Sequence, residues 1–134
     1  MTDSLPQKYV LFVCIENSNR SQMAEAFARI HGGNLIEAYS AGSRPSGQVN
    51  RRAVSSMQQV GYDLSHHQSN SLSDVPDVEY AFVATMGCGD ECPHIRARQR
   101  ADWDIPDPKD MDPGEFSKVR DLIECKVQEM LASL

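Results

Sequence analysis

The stretch KYVLFVCIENSNRSQMAE, residues 8–25, decides the fold of this chain. Residues 9–13 form a continuous apolar, aromatic and β-branched run, which is typical of a parallel strand buried on both faces. Apolar residues then return at helical spacing, which predicts a helix over residues 21–31. The loop of residues 14–20 is therefore predicted to follow the carboxyl end of a strand and to open directly into a helix.

This loop is suited to binding a tetrahedral oxyanion. Backbone N–H groups of a concave loop at a helix N-terminus converge on one point, and the helix dipole adds positive potential there. The guanidinium of Arg20 can bind two oxygens of the same anion. The predicted oxyanion-binding residues are Cys14, Ile15, Glu16, Asn17, Ser18, Asn19 and Arg20.

Cys14 is predicted to be a nucleophile. A positive field of this kind favours the thiolate of a cysteine, which is the reactive form. Ser21 is placed to donate a hydrogen bond to the sulfur, and it is also suited to capping the helix. The spacing of Cys14 and Arg20 is weak evidence by itself, so the predicted strand and helix around them carry the interpretation. The alternative is an inert buried thiol that merely ends the strand.

Composition places the chain among small globular proteins. Its 134 residues are 40% hydrophobic, which predicts one domain over residues 1–134 with a core sheet covered by helices. The formal charge of −6 gives no support for a nucleic-acid partner, and no apolar run approaches membrane length. The chain has four cysteines, one of which must stay reduced. This favours a cytoplasmic protein over one that is stabilised by a disulfide scaffold.

Strands and helices are predicted to alternate along the sequence. The expected strands are 9–13, 35–40, 78–85 and a short one near 101–104. The expected helices are 21–31, 50–60 and 114–131, with a short one within 62–76. This alternation predicts an α/β three-layer sandwich, a four-stranded parallel sheet with helices on both faces. Ligands of such sheets bind beyond the carboxyl ends of the strands, where the loop of residues 14–20 lies.

Two further cysteines follow the third predicted strand. Because parallel strands end at the same edge of a sheet, Cys88 and Cys92 can lie close to Cys14. Their spacing of four would put them on one face of a helical turn, near disulfide distance after modest unwinding. We interpret the three thiols as a redox relay. The alternatives are a zinc site that includes His94, or two unreactive loop cysteines, while Cys125 is read as a bystander.

A proline-fixed loop beginning at Trp103 supplies carboxylates near the C-terminus. Phosphoryl or arsenyl transfer needs an acid that delivers a proton to the departing oxygen. The candidates are Asp104, Asp107, Asp110 and Asp112. Asp107 and Asp112 both precede a proline, so residue type alone does not separate them, and any of the four could be a turn residue.

The sequence CIENSNRSQMAE at residues 14–25 resembles the signature loop of the low-molecular-weight protein tyrosine phosphatase superfamily, and in particular of its thioredoxin-coupled arsenate reductases. The likeness covers nearly the whole chain. It includes Tyr39–Gly42, Val49–Asn50, Gly61–Leu64, Cys92–Pro93, Trp103, Asp107–Pro108 and Glu115–Phe116. By its position between Trp103 and Phe116, the resemblance selects Asp107 as the acid.

The resemblance implies an arsenate reductase. Arsenate would bind in the loop, Cys14 would attack the arsenic, and Cys88 would then attack Cys14 and release arsenite. Cys92 would resolve that disulfide and leave an exposed one for thioredoxin or another thiol reductant. The best-known members carry the first resolving cysteine where this chain has Met86, so attack on Cys14 by a small external thiol is an alternative. The implied catalytic set is Cys14, Arg20, Ser21, Cys88, Cys92 and Asp107.

The resemblance also bears on ions. It implies no required cofactor, but reductases of this type can bind potassium beside the loop. The matching positions here are Asn17, Glu25, Ser40 and Asp63. Asn19 stands where many relatives carry a cysteine.

Two other functions remain open at the level of sequence. A phosphatase acting on phosphotyrosine or small phosphoesters would use the same thiolate, arginine and acid, and a reductase could keep weak phosphatase activity. Aromatic residues beside the acid would help to grip a phosphotyrosine ring, whereas Lys109 and Asp110 follow Pro108 here. A non-catalytic oxyanion or redox sensor is the third possibility, although a sensor has no need of Asp107. The additional Cys88 and Cys92 favour reduction.

Overall fold

The computed structural model describes residues 8–87 and 95–134. It contains a four-stranded parallel sheet, which confirms the predicted fold class. The strands are β1 (Lys8–Cys14), β2 (Ile36–Gly42), β3 (Tyr80–Thr85) and β4 (Ala97–Asp102), in the order β2-β1-β3-β4. The helices are α1 (Arg20–Gly32), α2 (Arg51–Gln58) and α3 (Pro113–Ser133), with 3-10 helices at Gly33–Leu35, Leu64–His66 and Leu72–Asp74.

Strand β1 lies at the centre of the sheet because its apolar run can be buried on both faces. The four residues from Val10 to Val13 have no exposed surface, and β1 pairs with β2 on one side and with β3 on the other. The prediction from residues 9–13 is confirmed. A central strand leaves its carboxyl end, and therefore Cys14, in the middle of the sheet edge.

The two faces of the sheet are covered unequally. On one face, Phe12 packs in a core that includes Phe27 of α1, Met57 of α2 and Ile123 of α3. The opposite face carries a smaller cluster, centred on Leu11, Val13 and Tyr80, against which residues of the segment 72–78 pack. The predicted three layers are present. In the described part of the chain, the layer on this opposite face consists of the 3-10 helix Leu72–Asp74 and its flanking loop.

Strand β4 begins four residues before the predicted 101–104 and ends two residues earlier. Its sequence ARQRAD is arginine-rich and mostly exposed because β4 is an edge strand paired only with β3. Such a strand lacks the apolar run that marks a buried one. Within residues 62–76 the expected short helix is present as the 3-10 turns Leu64–His66 and Leu72–Asp74.

The loops that follow β1, β3 and β4 meet at one edge of the sheet. Met86 N donates to Val13 O at 2.7 Å, and Trp103 N donates to Thr85 O at 2.8 Å, so pairing continues beyond the strands. This edge holds the predicted oxyanion loop. Within the described residues, no helix is both long enough and apolar enough to cross a membrane.

Candidate active site

The loop between β1 and α1 turns its carbonyl groups away from its concave side. Each carbonyl of residues 15–19 accepts a hydrogen bond from the surrounding chain. The donors are Arg44 N to Ile15 O, Ser46 N and Ser69 Oγ to Glu16 O, Gln22 Nε2 to Asn17 O, Asn50 N to Ser18 O, and Met23 N to Asn19 O, at 2.8–3.1 Å. Because a trans peptide holds N–H and C=O on opposite sides, the N–H groups are left to face an anion.

Two local features allow the loop to fold so tightly. Asn17 has a φ of 51°, in the left-handed region that asparagine tolerates better than most residues. Gly42, at the end of β2, lies directly behind the loop. A Cβ on Gly42 would be 2.5 Å from Ile15 O and 3.0 Å from Asn17 N, so only glycine fits without a shift of the backbone.

Cys14 lies at the floor of the loop with 4% of its surface exposed. Its Sγ is 2.8 Å from Ser21 Oγ, as the sequence predicted. Asn17 Nδ2 donates to the same Oγ at 2.7 Å, which leaves the Ser21 hydroxyl hydrogen free to point at the sulfur. A hydroxyl donor of this kind stabilises a thiolate more than a thiol. The side chain of Ser21 is therefore engaged by the site, and the cap position of α1 is held by Asn19.

Arg20 is held between the two loops that follow β3 and β4. Its Nη1 donates to Ile105 O at 3.0 Å, and its side chain is 12% exposed. A Cβ on Gly87 would lie 2.7 Å from Nη1, and Gly87 has a φ of +80°. The chain leaving β3 therefore passes against the guanidinium. Glycine is favoured at position 87 both by the positive φ and by the short distance to Arg20.

The structure separates the candidate acids. Asp107 Oδ2 lies 3.9 Å from Arg20 Nη2, with 53% of the side chain exposed at the mouth of the site. Asp112 instead caps α3: its Oδ1 accepts from Glu115 N at 2.9 Å, and this hydrogen bond holds its pKa below the usual range. A carboxyl that caps a helix is a poor proton donor, so the geometry favours Asp107 as the acid.

The sequence profile of the low molecular weight phosphotyrosine protein phosphatase family matches residues 9–134. The chain belongs to this family. Arsenate reductase 1 of Staphylococcus epidermidis is 35% identical over 128 residues, which is 92% of this chain and 96% of that protein.

Two solved structures of arsenate reductases are similar to this chain over nearly its whole length. One is an arsenate reductase in the phosphate binding state, with a TM-score of 0.86 and 33% identity over 95% of this chain and 98% of that one. The other is a thioredoxin-dependent arsenate reductase of Corynebacterium glutamicum, with a TM-score of 0.77 and 27% identity. The likeness to the second covers 96% of this chain and 62% of that chain.

One of the potassium ligands suggested by the family resemblance, Glu25, forms an ion pair with Arg29. Glu25 is buried, which raises its pKa, and its Oε2 accepts from Arg29 Nε at 2.9 Å, while Ser40 Oγ donates to Oε1 at 2.6 Å. Asn17 Oδ1 already accepts two hydrogen bonds. Asp63 is exposed and binds Ser65.

In this arrangement the Arg29 guanidinium supplies the positive charge beside Glu25. Within the described residues, no group of three or more His, Cys, Asp or Glu side chains could hold a metal ion. The potassium site stays an untested prediction.

Three of the residues singled out by sequence, Cys88, Cys92 and His94, lie outside the described residues. Asn19 is buried, and its Oδ1 has no hydrogen-bond partner in the described part of the chain. Cys125 is exposed on α3.

Sequence reasoning missed a buried polar group behind the loop. Gln22 is fully buried in the first turn of α1, and its amide contacts Asn17 and His67. The ring of His67 in turn contacts Tyr62. The available signal was weak: one polar residue at the start of an otherwise largely apolar helix, which by itself does not predict burial.

Proposed function

We propose that the protein reduces arsenate to arsenite, with Cys14 as nucleophile and with thioredoxin or another thiol reductant as the electron donor. One observation carries the proposal: a buried thiol receives a hydroxyl donor at the floor of a loop whose carbonyls all turn outward, and Arg20 closes that loop. The names of the reductase relatives support arsenate as the oxyanion.

The first step forms a bond between sulfur and arsenic. The Cys14 thiolate attacks As(V) and forms the S–As bond, while one As–OH bond breaks as that hydroxyl takes a proton from Asp107 and leaves as water. The loop N–H groups and Arg20 bind the remaining oxygens, so negative charge that develops during attack meets donors already in place. Ser21 stabilises the thiolate before attack.

The second step transfers two electrons. A second thiolate attacks Cys14 Sγ, the new S–S bond forms, the S–As bond breaks, and its electron pair stays on arsenic, which leaves as arsenite. We assign this attack to Cys88 and the resolution of the disulfide to Cys92, with attack by a small external thiol as the alternative. The contact of Gly87 with Arg20 supports this assignment, since the peptide that leads to Cys88 begins at the guanidinium.

Phosphomonoester hydrolysis is the second candidate, and the contact between Asp107 and Arg20 favours it as a side activity. The acid, arginine and thiolate are the groups that a phosphatase of this family requires. The same acid argues against a non-catalytic sensor, which needs no proton donor. We expect weak hydrolysis of an aryl phosphate beside efficient arsenate reduction.

We further propose that the protein works in the cytoplasm, because its relay needs reduced thiols. The charge of −6 supports neither a nucleic-acid partner nor an anionic membrane surface. No cofactor is needed for the chemistry proposed.

Oxidation of NADPH in the presence of arsenate tests the proposal. Reduced protein is combined with thioredoxin and its reductase, with glutaredoxin and glutathione, or with a low-molecular-weight thiol. We expect turnover that depends on arsenate with at least one of these donors, and we expect Cys88→Ser to abolish it with thioredoxin while aryl phosphate hydrolysis persists. Absence of turnover with every donor, together with hydrolysis of aryl phosphates, would establish the phosphatase instead.

A further inference from the structure

A continuous chain of hydrogen bonds connects the surface near Tyr62 to the sulfur of Cys14. It crosses from the loop after α2 into α1 and then into the oxyanion loop. Its links are Tyr62 OH to His67 Nε2 at 2.6 Å, His67 Nδ1 to Gln22 Oε1 at 3.0 Å, Gln22 Nε2 to Asn17 Oδ1 at 2.9 Å, Asn17 Nδ2 to Ser21 Oγ at 2.7 Å, and Ser21 Oγ to Cys14 Sγ at 2.8 Å.

The two amide groups in the chain have only one possible orientation each. Gln22 Nε2 also contacts the carbonyl oxygens of Asn17 and Gln68, which accept only, so this atom must be the NH2 group. Asn17 Oδ1 also accepts from the backbone N–H of Asn70 at 2.7 Å, so this atom must be the oxygen. Gln22 therefore donates to Asn17, and Asn17 donates to Ser21.

The hydrogen bonds at the outer end, made by His67 and Tyr62, are also donated in the direction of Cys14. Gln22 Oε1 can only accept, so His67 Nδ1 donates to it. Burial lowers the pKa of His67 to about 4, so the ring is neutral near pH 7 and Nε2 carries no proton. Nε2 then accepts from Tyr62, whose hydroxyl stays protonated because burial raises its pKa. Every donor in the chain thus points toward Cys14.

We propose that Tyr62, His67 and Gln22 are positioning residues that stabilise the Cys14 thiolate through this aligned chain. The inference rests on the proposed function only in taking Cys14 as the nucleophile. Hydrogen bonds aligned in one direction polarise one another, and they do so most strongly where water is excluded. Asn17, Ser21 and Gln22 are all buried, so the chain runs through such a region up to the sulfur.

The chain also holds Asn17 in its left-handed conformation. Gln22 binds both the backbone carbonyl and the side-chain oxygen of Asn17. The charged and titratable groups around His67 are Glu25, Arg29, His66 and Asp63. Arg29 binds the carboxylate of Glu25, so that carboxylate does not compete for the proton on His67 Nδ1.

The pH midpoint of Cys14 alkylation tests the inference without arsenate. Reduced protein is treated with iodoacetamide over a range of pH, and the rate at the Cys14 peptide is followed by mass spectrometry, separately from the other cysteines. We expect Gln22→Met to raise the midpoint by roughly one pH unit and Tyr62→Phe to raise it by about half a unit. Tyr39→Phe is the matched control: it removes a tyrosine hydroxyl bonded to Glu37, outside the chain, and should leave the midpoint unchanged.

A double-mutant cycle tests whether Tyr62 acts on Cys14 through Ser21. Ser21→Ala breaks the last link, so adding Tyr62→Phe to it should cause no further shift. An equal shift from Tyr62→Phe with and without Ser21 would overturn the inference, as would an unchanged midpoint in Tyr62→Phe. Should Gln22→Met fail to fold, Tyr62→Phe decides alone, because it removes one hydroxyl from a half-buried ring. A shifted midpoint in a protein that fails to reduce arsenate would uphold this inference and refute only the proposed function.

Discussion

Two aspartates that look alike in sequence have different tasks in the structure. Asp107 contacts Arg20, whereas Asp112 caps α3. We expect Asp107→Asn to lower the rate of aryl phosphate hydrolysis by about 10²-fold, because the leaving oxygen loses its proton donor. Asp112→Ala should leave that rate unchanged and cost about 1 kcal/mol of stability, measured by chemical denaturation. The reverse pattern would assign the acid to Asp112.

His67 links the site to the pH dependence of stability. Its pKa falls from 6.5 to about 4 on folding, so between these values the unfolded chain binds more protons. The His67 contribution to the free energy of unfolding is therefore complete above about pH 6.5 and is lost as the pH falls toward 4. We expect His67→Gln to flatten this part of the stability profile, measured by chemical denaturation over a range of pH. Equal slopes in wild type and His67→Gln would contradict the assignment.

At the scale of elements, β2 and the oxyanion loop fit together only through Gly42. A methyl group there would meet Ile15 O at 2.5 Å, and backbone on both sides prevents relief. We expect Gly42→Ala to cost about 1–3 kcal/mol and to abolish oxyanion binding, measured by denaturation and by phosphate titration. Gly114→Ala in α3 is the control, since its nearest contact of 3.4 Å is ordinary and alanine favours a helix. Wild-type phosphate affinity in Gly42→Ala would refute this account of the loop.

The elements differ in how far the sequence could predict them. The apolar run of β1 and the helical spacing of α1 place Cys14 at the sheet edge, because burial on both faces requires such a run. Edge strand β4 has no such pattern. The pairing of Gln22 with His67 joins residues far apart in sequence, so no local periodicity predicts it. The choice of Asp107 over Asp112 came from family resemblance, and the structure supplies its physical reason in the α3 cap.

Over the whole molecule, one sheet edge brings together groups from three loops. Cys14 ends the central strand β1, Gly87 follows its neighbour β3, and Asp107 follows the edge strand β4. Arg20 lies against Gly87 in the loop after β3 and against Asp107 in the loop after β4. This arrangement places the Cys14 thiol, the Arg20 guanidinium and the Asp107 carboxyl at one edge of the sheet.

In a single turnover, the thiols of one chain should reduce one arsenate, and thioredoxin or another thiol reductant should be needed only to restore those thiols. A single-turnover experiment tests it most directly: fully reduced protein is mixed with arsenate in the absence of any other thiol, and arsenite and free thiols are counted. We expect about one arsenite and the loss of about two thiols per chain, with Cys88 and Cys92 recovered in one disulfide-linked peptide. No arsenite, with all thiols still free and aryl phosphate still hydrolysed, would contradict it.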